Sequence, residues 1–363
     1  MKPNIKRTFV LDNSVPQCQL GQKENEHPIL ETSVKTSLRA VLLALAAVAV
    51  QALMVTAFAW PAARVAPRGV PVVVAGPVPA VASVAQRLDA ERHGAFEVKR
   101  RPDEAAARRA LVDREAYGAI VVGPAGPRVL VASAASPTVA QLLAQVSQGL
   151  SGHPAPAPED VVPADPDDPR GAAFGALVLP LVMSSLVGGV LLALLVSAAS
   201  WRLVGLVAFA AGGGLVAAAI VGAWLSVVPG SYLAVAGVVG LTVLAVSSTV
   251  VGLGAVVGRA GIGLSAATMM LLGNPLSGVT SAPELLPRPW GALGQALPAG
   301  AGGTLLRSVA FFDGVRAGGP VTVLLVWVAA GLVLVGVGAL RAKGPGAAGD
   351  GGRRMPAPAA VES

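Results

Sequence analysis

The chain has 363 residues, of which 54% are hydrophobic and 13% charged, about half the charged fraction of soluble domains. That balance excludes an ordinary soluble domain, and at about 20 residues per crossing the length accommodates several membrane spans plus one domain of usual size. The net charge of +7 does not indicate nucleic acid, because the basic residues lie at the ends of apolar runs and in the tails, the pattern that orients membrane proteins.

Residues 1–36 mix Lys2, Lys6, Arg7, Lys23 and Lys35 with Asp12, Glu24, Glu26 and Glu31 and read as a polar N-terminal tail. Its Cys18 is the one cysteine, so neither an internal disulfide nor a cysteine metal site is available. Residues 37–60 carry no charge after Arg39 and form the first expected transmembrane helix. Ala57-Phe58-Ala59 has the small-x-small form of a signal-peptidase site. The polar stretch before it and the apolar core are both long for a cleaved signal, so an uncleaved anchor is expected.

Over 61–170 charges return and periodicity shortens. Strands are expected at 70–75, 96–99, 117–122 and 128–132, and helices at 78–92, 102–113 and 137–150, the pattern of a small α/β domain. A proline-rich stretch at 153–169 reads as a stiff spacer. Five apolar runs follow, at 174–199, 203–225, 231–257, 262–281 and 321–340, none with Asp, Glu, Lys, Arg or His. The fold class expected is therefore an α-helical polytopic membrane protein of about six transmembrane helices with an inserted extracytoplasmic α/β domain. Five of those helices fall in 171–341, and 342–363 form a C-terminal tail. The Pro- and Gly-rich segment 283–320 is too broken for a span and reads as a re-entrant or amphipathic outside segment.

Short loops set the orientation. With span one running outward, Arg39, Arg202, Arg259 and the tail residues Arg341, Lys343, Arg353 and Arg354 all fall inside, so both termini are expected in the cytoplasm. Arg288, Arg307 and Arg316 on the outside dissent. The Ala, Gly, Val, Pro and Arg bias resembles that of a high-GC bacterium, which makes the bacterial plasma membrane the expected location.

Neither an enzyme nor a cofactor is expected. The glycine strings at 123–128 and 252–258 lack the Lys-Ser/Thr of a phosphate loop and read as a hairpin turn and as close helix packing. His27, His93 and His153 are scattered and form no metal site. Asp165, Asp167 and Asp168 lack the Gly and Glu of a calcium loop and read as solvated linker. Arg108, Arg109, Asp113, Arg114 and Glu115 read as the wet face of one helix. Ser184, Ser185, Ser247 and Ser248 have no His or Asp partner, and Gly212-Gly213-Gly214 reads as a close helix contact.

One apolar run is interrupted. Asn274-Pro275, followed by Ser277 and Gly278, breaks a helix inside the fifth span, and freed backbone groups at membrane depth need protein or a water-filled cavity to satisfy them. These four residues are the candidate substrate path or structural break.

The layout of one span, an outside domain and five further spans resembles the ABC-2 type permease superfamily, in its YhgE/Pip-like branch with large outside domains. The local match is Gly273-Asn-Pro-Leu-Ser-Gly278, Ala282-Pro-Glu-Leu-Leu-Pro287, Pro289-Trp290 and Leu297-Pro-Ala-Gly300. The resemblance implies a permease subunit that exports a hydrophobic or amphiphilic substrate, pairs with a separate cytoplasmic ATPase chain and dimerises in the bilayer. The short loop at Ser200-Trp201-Arg202 departs from the charged docking helix of many such exporters. A non-transporting envelope scaffold or receptor, binding a partner through its outside domain, is the alternative.

Overall fold

The computed structural model describes residues 27–124, 126–151 and 156–342. Most of the expected N-terminal tail, all but one residue of the C-terminal tail, Cys18 and His153 lie outside those residues.

The first element, α1 (His27–Ala62), contains the apolar stretch Leu38–Ala62, whose one charge is Arg39 and within which an 18-residue window has mean hydropathy 2.4. Leu43 and Val48 on it are exposed, as a lipid-facing helix requires.

After α1 comes an α/β domain: β1 (Val70–Ala75), α2 (Val78–Glu91), β2 (Phe96–Arg101), α3 (Glu104–Val112), β3 (Gly118–Gly123), β4 (Gly126–Val131), α4 (Pro137–Ser151) and β5 (Glu159–Asp160). The sheet order is β2-β1-β3-β4-β5. β1 runs parallel to both β2 and β3, β3 and β4 are antiparallel, and β5 is parallel to β4. The register Gly123↔Gly126 makes the first glycine string part of a hairpin, as its prolines imply.

Strand residues alternate between the two sheet faces. Val70, Val72, Val74, Ile120 and Val129 pack on Leu88 of α2 and Leu143 of α4. Val73, Ala75, Ala119 and Leu130 pack on Ala107 and Leu111 of α3. The start of α3 is set by Asp103, whose Oδ1 accepts from Ala106 N at 2.7 Å, an N-cap bond.

Two expectations change here. The stretch after α4 is not a free spacer: Val161 N donates to Val131 O at 2.8 Å and Ala134 N to Val162 O at 3.1 Å, so its chain continues the sheet. Asp168 is not a solvated linker residue either. It is buried, and its Oδ2 accepts from Phe174 N at 2.8 Å, closing the turn into the next helix.

The rest is mostly helical: α5 (Ala172–Ala176), α6 (Val178–Leu195), α7 (Ala199–Ala218) ending in a π-helical turn (Ala219–Trp224), α8 (Tyr232–Val257), α9 (Arg259–Ala267) continued by a second π-helical turn (Thr268–Gly273), a 3₁₀ turn (Pro283–Leu285), α10 (Trp290–Gln295), α11 (Pro298–Phe311) and α12 (Gly318–Ala342). Five helical stretches are long and apolar enough to cross a bilayer: Leu38–Ala62, Ala172–Leu195, Ala199–Trp224, Tyr232–Val257 and Gly318–Ala342. The protein is thus a polytopic, mainly helical membrane protein with a small mixed sheet.

The expected span at 262–281 is not among the five. Its helix ends in the π turn at Gly273, and Leu276 and Val279 beyond it are buried. Hydropathy alone registers that burial as lipid contact.

α8 is the central helix, with Val246, Val250 and Ala245 fully buried. Small residues let its neighbours approach. A Cβ on Gly240 would meet Ala210 O of α7 at 2.9 Å, and one on Gly331 of α12 would meet the Ser248 backbone at 2.6 Å. Of the glycine triplet, Gly214 faces α8 at close range, whereas Gly212 and Gly213 have open space at the Cβ position. Arg202 lies inside α7 rather than in a loop. Its Nε donates to Val196 O at 2.6 Å and its Nη2 to Ala193 O at 3.1 Å, satisfying the carbonyls that end α6.

Candidate functional site

The expected break is present, and its local chemistry is explicit. Asn274 N donates to Met269 O at 3.1 Å, the wider bond of a π turn, and Pro275 supplies no amide to continue the ladder. Ser277 Oγ donates back to Asn274 O at 2.9 Å. Gly278 has φ +66°, and a Cβ there would meet Pro283 N at 2.9 Å, so the chain reverses at a residue without a side chain.

Several of the carbonyls released by the break find donors. Ser277 O accepts from Gln295 Nε2 at 2.7 Å, Gly278 O from Ser281 N at 3.2 Å, and Val279 O from Arg307 Nη2 at 2.8 Å. Thr280 O and Ser281 O accept the hydroxyls of Thr138 (3.4 Å) and Ser136 (2.5 Å) on the α/β domain. Glu284 O and Leu285 O accept from Arg68 N at 3.1 Å and Ala66 N at 3.0 Å. The break is therefore the seat of the α/β domain, which meets the requirement that irregular backbone be satisfied by protein.

Asn274, Pro275, Ser277 and Gly278 also line one cavity, of about 600 Å³, together with Phe58 and Leu179. Its walls are mainly apolar side chains and the turn backbone. The structure brings all four expected residues to one place.

A second cavity, of about 660 Å³, lies beyond the same segment, at the end of the sheet where β1 and β3 begin. It is lined by Arg68, Arg114, Arg288, Arg307 and Arg316 but by one carboxylate, Glu284. Arg68 precedes β1, Arg114 lies between α3 and β3, and Arg307 comes from α11. Leu286 borders both cavities.

Each guanidinium is held mainly by neutral acceptors. Arg68 Nη1 donates to Leu285 O at 2.8 Å and Arg288 Nη2 to Arg68 O at 3.4 Å. Arg114 Nη1 donates to Ser308 Oγ, and its guanidinium carbon lies 5.1 Å from the Phe312 ring centre. Arg307, 6% exposed, lies 4.7 Å over Phe174. Arg316 Nε donates to Asp113 O at 3.0 Å, with Glu115 3.9 Å away. Among the described residues, Arg68, Arg114, Arg288 and Arg307 have no carboxylate within 4.0 Å.

Glu284 is engaged by Tyr117, whose hydroxyl donates to Oε2 at 2.8 Å. Burial, followed by the Glu284 charge, pushes the Tyr117 hydroxyl well above its ordinary value, so it remains a donor. Burial lowers the Arg114 guanidinium from its ordinary value, and Arg316 acts in the same direction; both effects reflect positive charge gathered away from water. Arg114 and Arg316 also have φ of 53° and 58°, a backbone region that non-glycine residues seldom occupy and that clusters at functional sites.

The expected wet face of α3 needs correcting. Arg108 bridges Glu104 at 2.8 Å and Glu159 at 2.7 Å, tying the helix to β5, while Arg114 lies past the helix end and lines the cavity. Arg288, Arg307 and Arg316, which opposed the loop-charge rule, converge there as well. Sequence reasoning missed this site because its residues are separated by up to about two-thirds of the chain, and their only signal was that dissent.

The fold and the two cavities define a polytopic membrane protein whose α/β domain sits on a broken membrane-proximal segment. Compared with models of known families, with curated proteins and with solved structures, the chain matches none.

Proposed function

We propose that the protein is the membrane permease subunit of an ABC-2-like exporter, moving a hydrophobic or amphiphilic substrate with energy from a separate cytoplasmic ATPase chain. In this reading it sits in a bacterial plasma membrane with both termini inside and the α/β domain outside. The observation that carries it is the cavity at Asn274–Gly278: a break in an apolar run, walled mainly by apolar side chains, on a segment whose backbone is bonded by Ser136 and Thr138 of the α/β domain. Irregular backbone beside a cavity is how membrane carriers form substrate sites. Long helices whose only charges, Arg39, Arg202 and Arg341, lie within four residues of an end favour an external energy source over an ion relay within the spans.

The test is isolation of the full-length protein from its native host under mild detergent. A nucleotide-hydrolysing partner chain is expected to co-isolate, with ATP turnover rising when amphiphile is added. Repeated isolation without such a chain, with no change in amphiphile tolerance when the gene is deleted, would overturn the reading.

One observation favours a second reading, a non-transporting envelope scaffold or receptor. The turn between α6 and α7 is limited to 196–198, which offers an ATPase little to grip on that loop. Under this reading, deleting the α/β domain abolishes surface binding of a partner while substrate export is unaffected.

A further inference from the structure

We propose that the arginine-lined cavity of about 660 Å³ is a binding site for a phosphate-bearing anion. Five guanidinium groups face one carboxylate there, and that carboxylate is already held by Tyr117. Arg307 is buried and Arg68 and Arg114 are half-buried, and cations withdrawn from water are costly unless an opposite charge compensates them. The described protein supplies four of the five with carbonyls, hydroxyls and aromatic faces instead of carboxylates.

Arginine is also the side chain suited to this ligand. Its planar fork presents paired donors that match the oxygens of a phosphate, and it keeps its charge when partly buried. The five approach from separate elements around the cavity, so their donors can meet a tetrahedral group from several directions. The left-handed backbone at Arg114 and Arg316 is an independent sign that these side chains are held in place at a cost. The volume falls within the range of ligand pockets, large enough for a headgroup rather than a single small ion.

Two sources share this chemistry, a lipid headgroup and a water-soluble phosphate. Leu286 forms a wall common to this cavity and to the apolar one at the break. A phosphate headgroup in the first would therefore place an attached acyl chain beside the second. In that form the inference rests on the transport reading for its purpose and names the substrate class as an anionic amphiphile. Binding itself does not depend on transport.

The test uses purified full-length protein in phosphatidylcholine nanodiscs, with melting temperature as readout. One arm adds phosphatidylglycerol to the discs, and the other adds inorganic phosphate or glycerol phosphate to the buffer. A saturable rise is expected in at least one arm. The variant R288Q/R316Q, altered at two exposed side chains, should melt normally without ligand and bind about tenfold more weakly or worse, as expected for lost charge-assisted bonds.

A rise in the lipid arm alone identifies the headgroup as the source, and a rise in the buffer arm shows that phosphate suffices. Absence of saturable binding in both arms, or equal affinity in the double variant, overturns the proposal. Anion binding by a protein that never co-isolates with an ATPase would remove the transport reading and leave this site standing. Co-isolation without anion binding would remove this site alone.

Discussion

Gly331→Leu is expected to prevent assembly of the helical region, with the protein lost from the membrane fraction or recovered as aggregate. A Cβ at this position would lie 2.6 Å from both the backbone carbon and Oγ of Ser248, and leucine adds three further carbons in the same direction. The clash cannot be relieved by swinging a side chain, because the obstacle includes backbone. Nor can α8 retreat, since Gly189 of α6 sits against its Ser247 and Val250, and Gly240 brings α7 to a similar distance. Overpacking of a filled core costs about 1–3 kcal/mol where neighbours adjust, and here they are fixed on several sides, so the upper end or beyond is expected. Gly336→Leu is the internal control. It lies on the same helix, is exposed and has open space at the Cβ position. Detergent-solubilised yield and elution profile should separate the two variants clearly.

Arg307→Ala is expected to lower stability and phosphate binding together. The side chain donates to Val279 O, and its loss leaves that buried carbonyl without a partner at a cost of about 1–3 kcal/mol. The stack on Phe174 disappears as well, worth about 1–2 kcal/mol for a desolvated cation on an aromatic face. Opposing both is relief of a buried positive charge near Arg114. The first two effects are expected to prevail, because the Val279 carbonyl and the Phe174 face already compensate the charge in part. Arg307→Met separates the contributions: it refills much of the volume, so melting should recover partly while phosphate affinity stays about tenfold or more below wild type. Recovery of both in Arg307→Met would show that the arginine acts through packing alone.

How much of this was legible in the sequence differed by element. β1 and β3 were readable because short apolar runs ended in glycine, and α3 because a helical run follows Pro102. β5 was not, since two acidic residues carry no alternation, and its pairing comes from Leu130 and Val131 earlier in the chain. Asn274-Pro275 stand where the π-helical turn ends, yet the same residues sit in an apolar run that hydropathy reads as a span. The burial of Leu276 and Val279 against protein, not lipid, is a tertiary fact. The arginine cavity was hidden for the same reason: Arg68 and Arg288 meet only after the chain has folded back on itself.

In the proposed topology the α/β domain and its cavity lie on the opposite side of the membrane from the α6–α7 turn. Single cysteines placed in a Cys18→Ser background at two exposed positions, Ser83→Cys on α2 and Ser197→Cys in that turn, test this with a membrane-impermeant maleimide. The account predicts labelling of Ser83→Cys in intact cells and of Ser197→Cys only after lysis. Labelling of both in intact cells, or the reverse pattern, would contradict it.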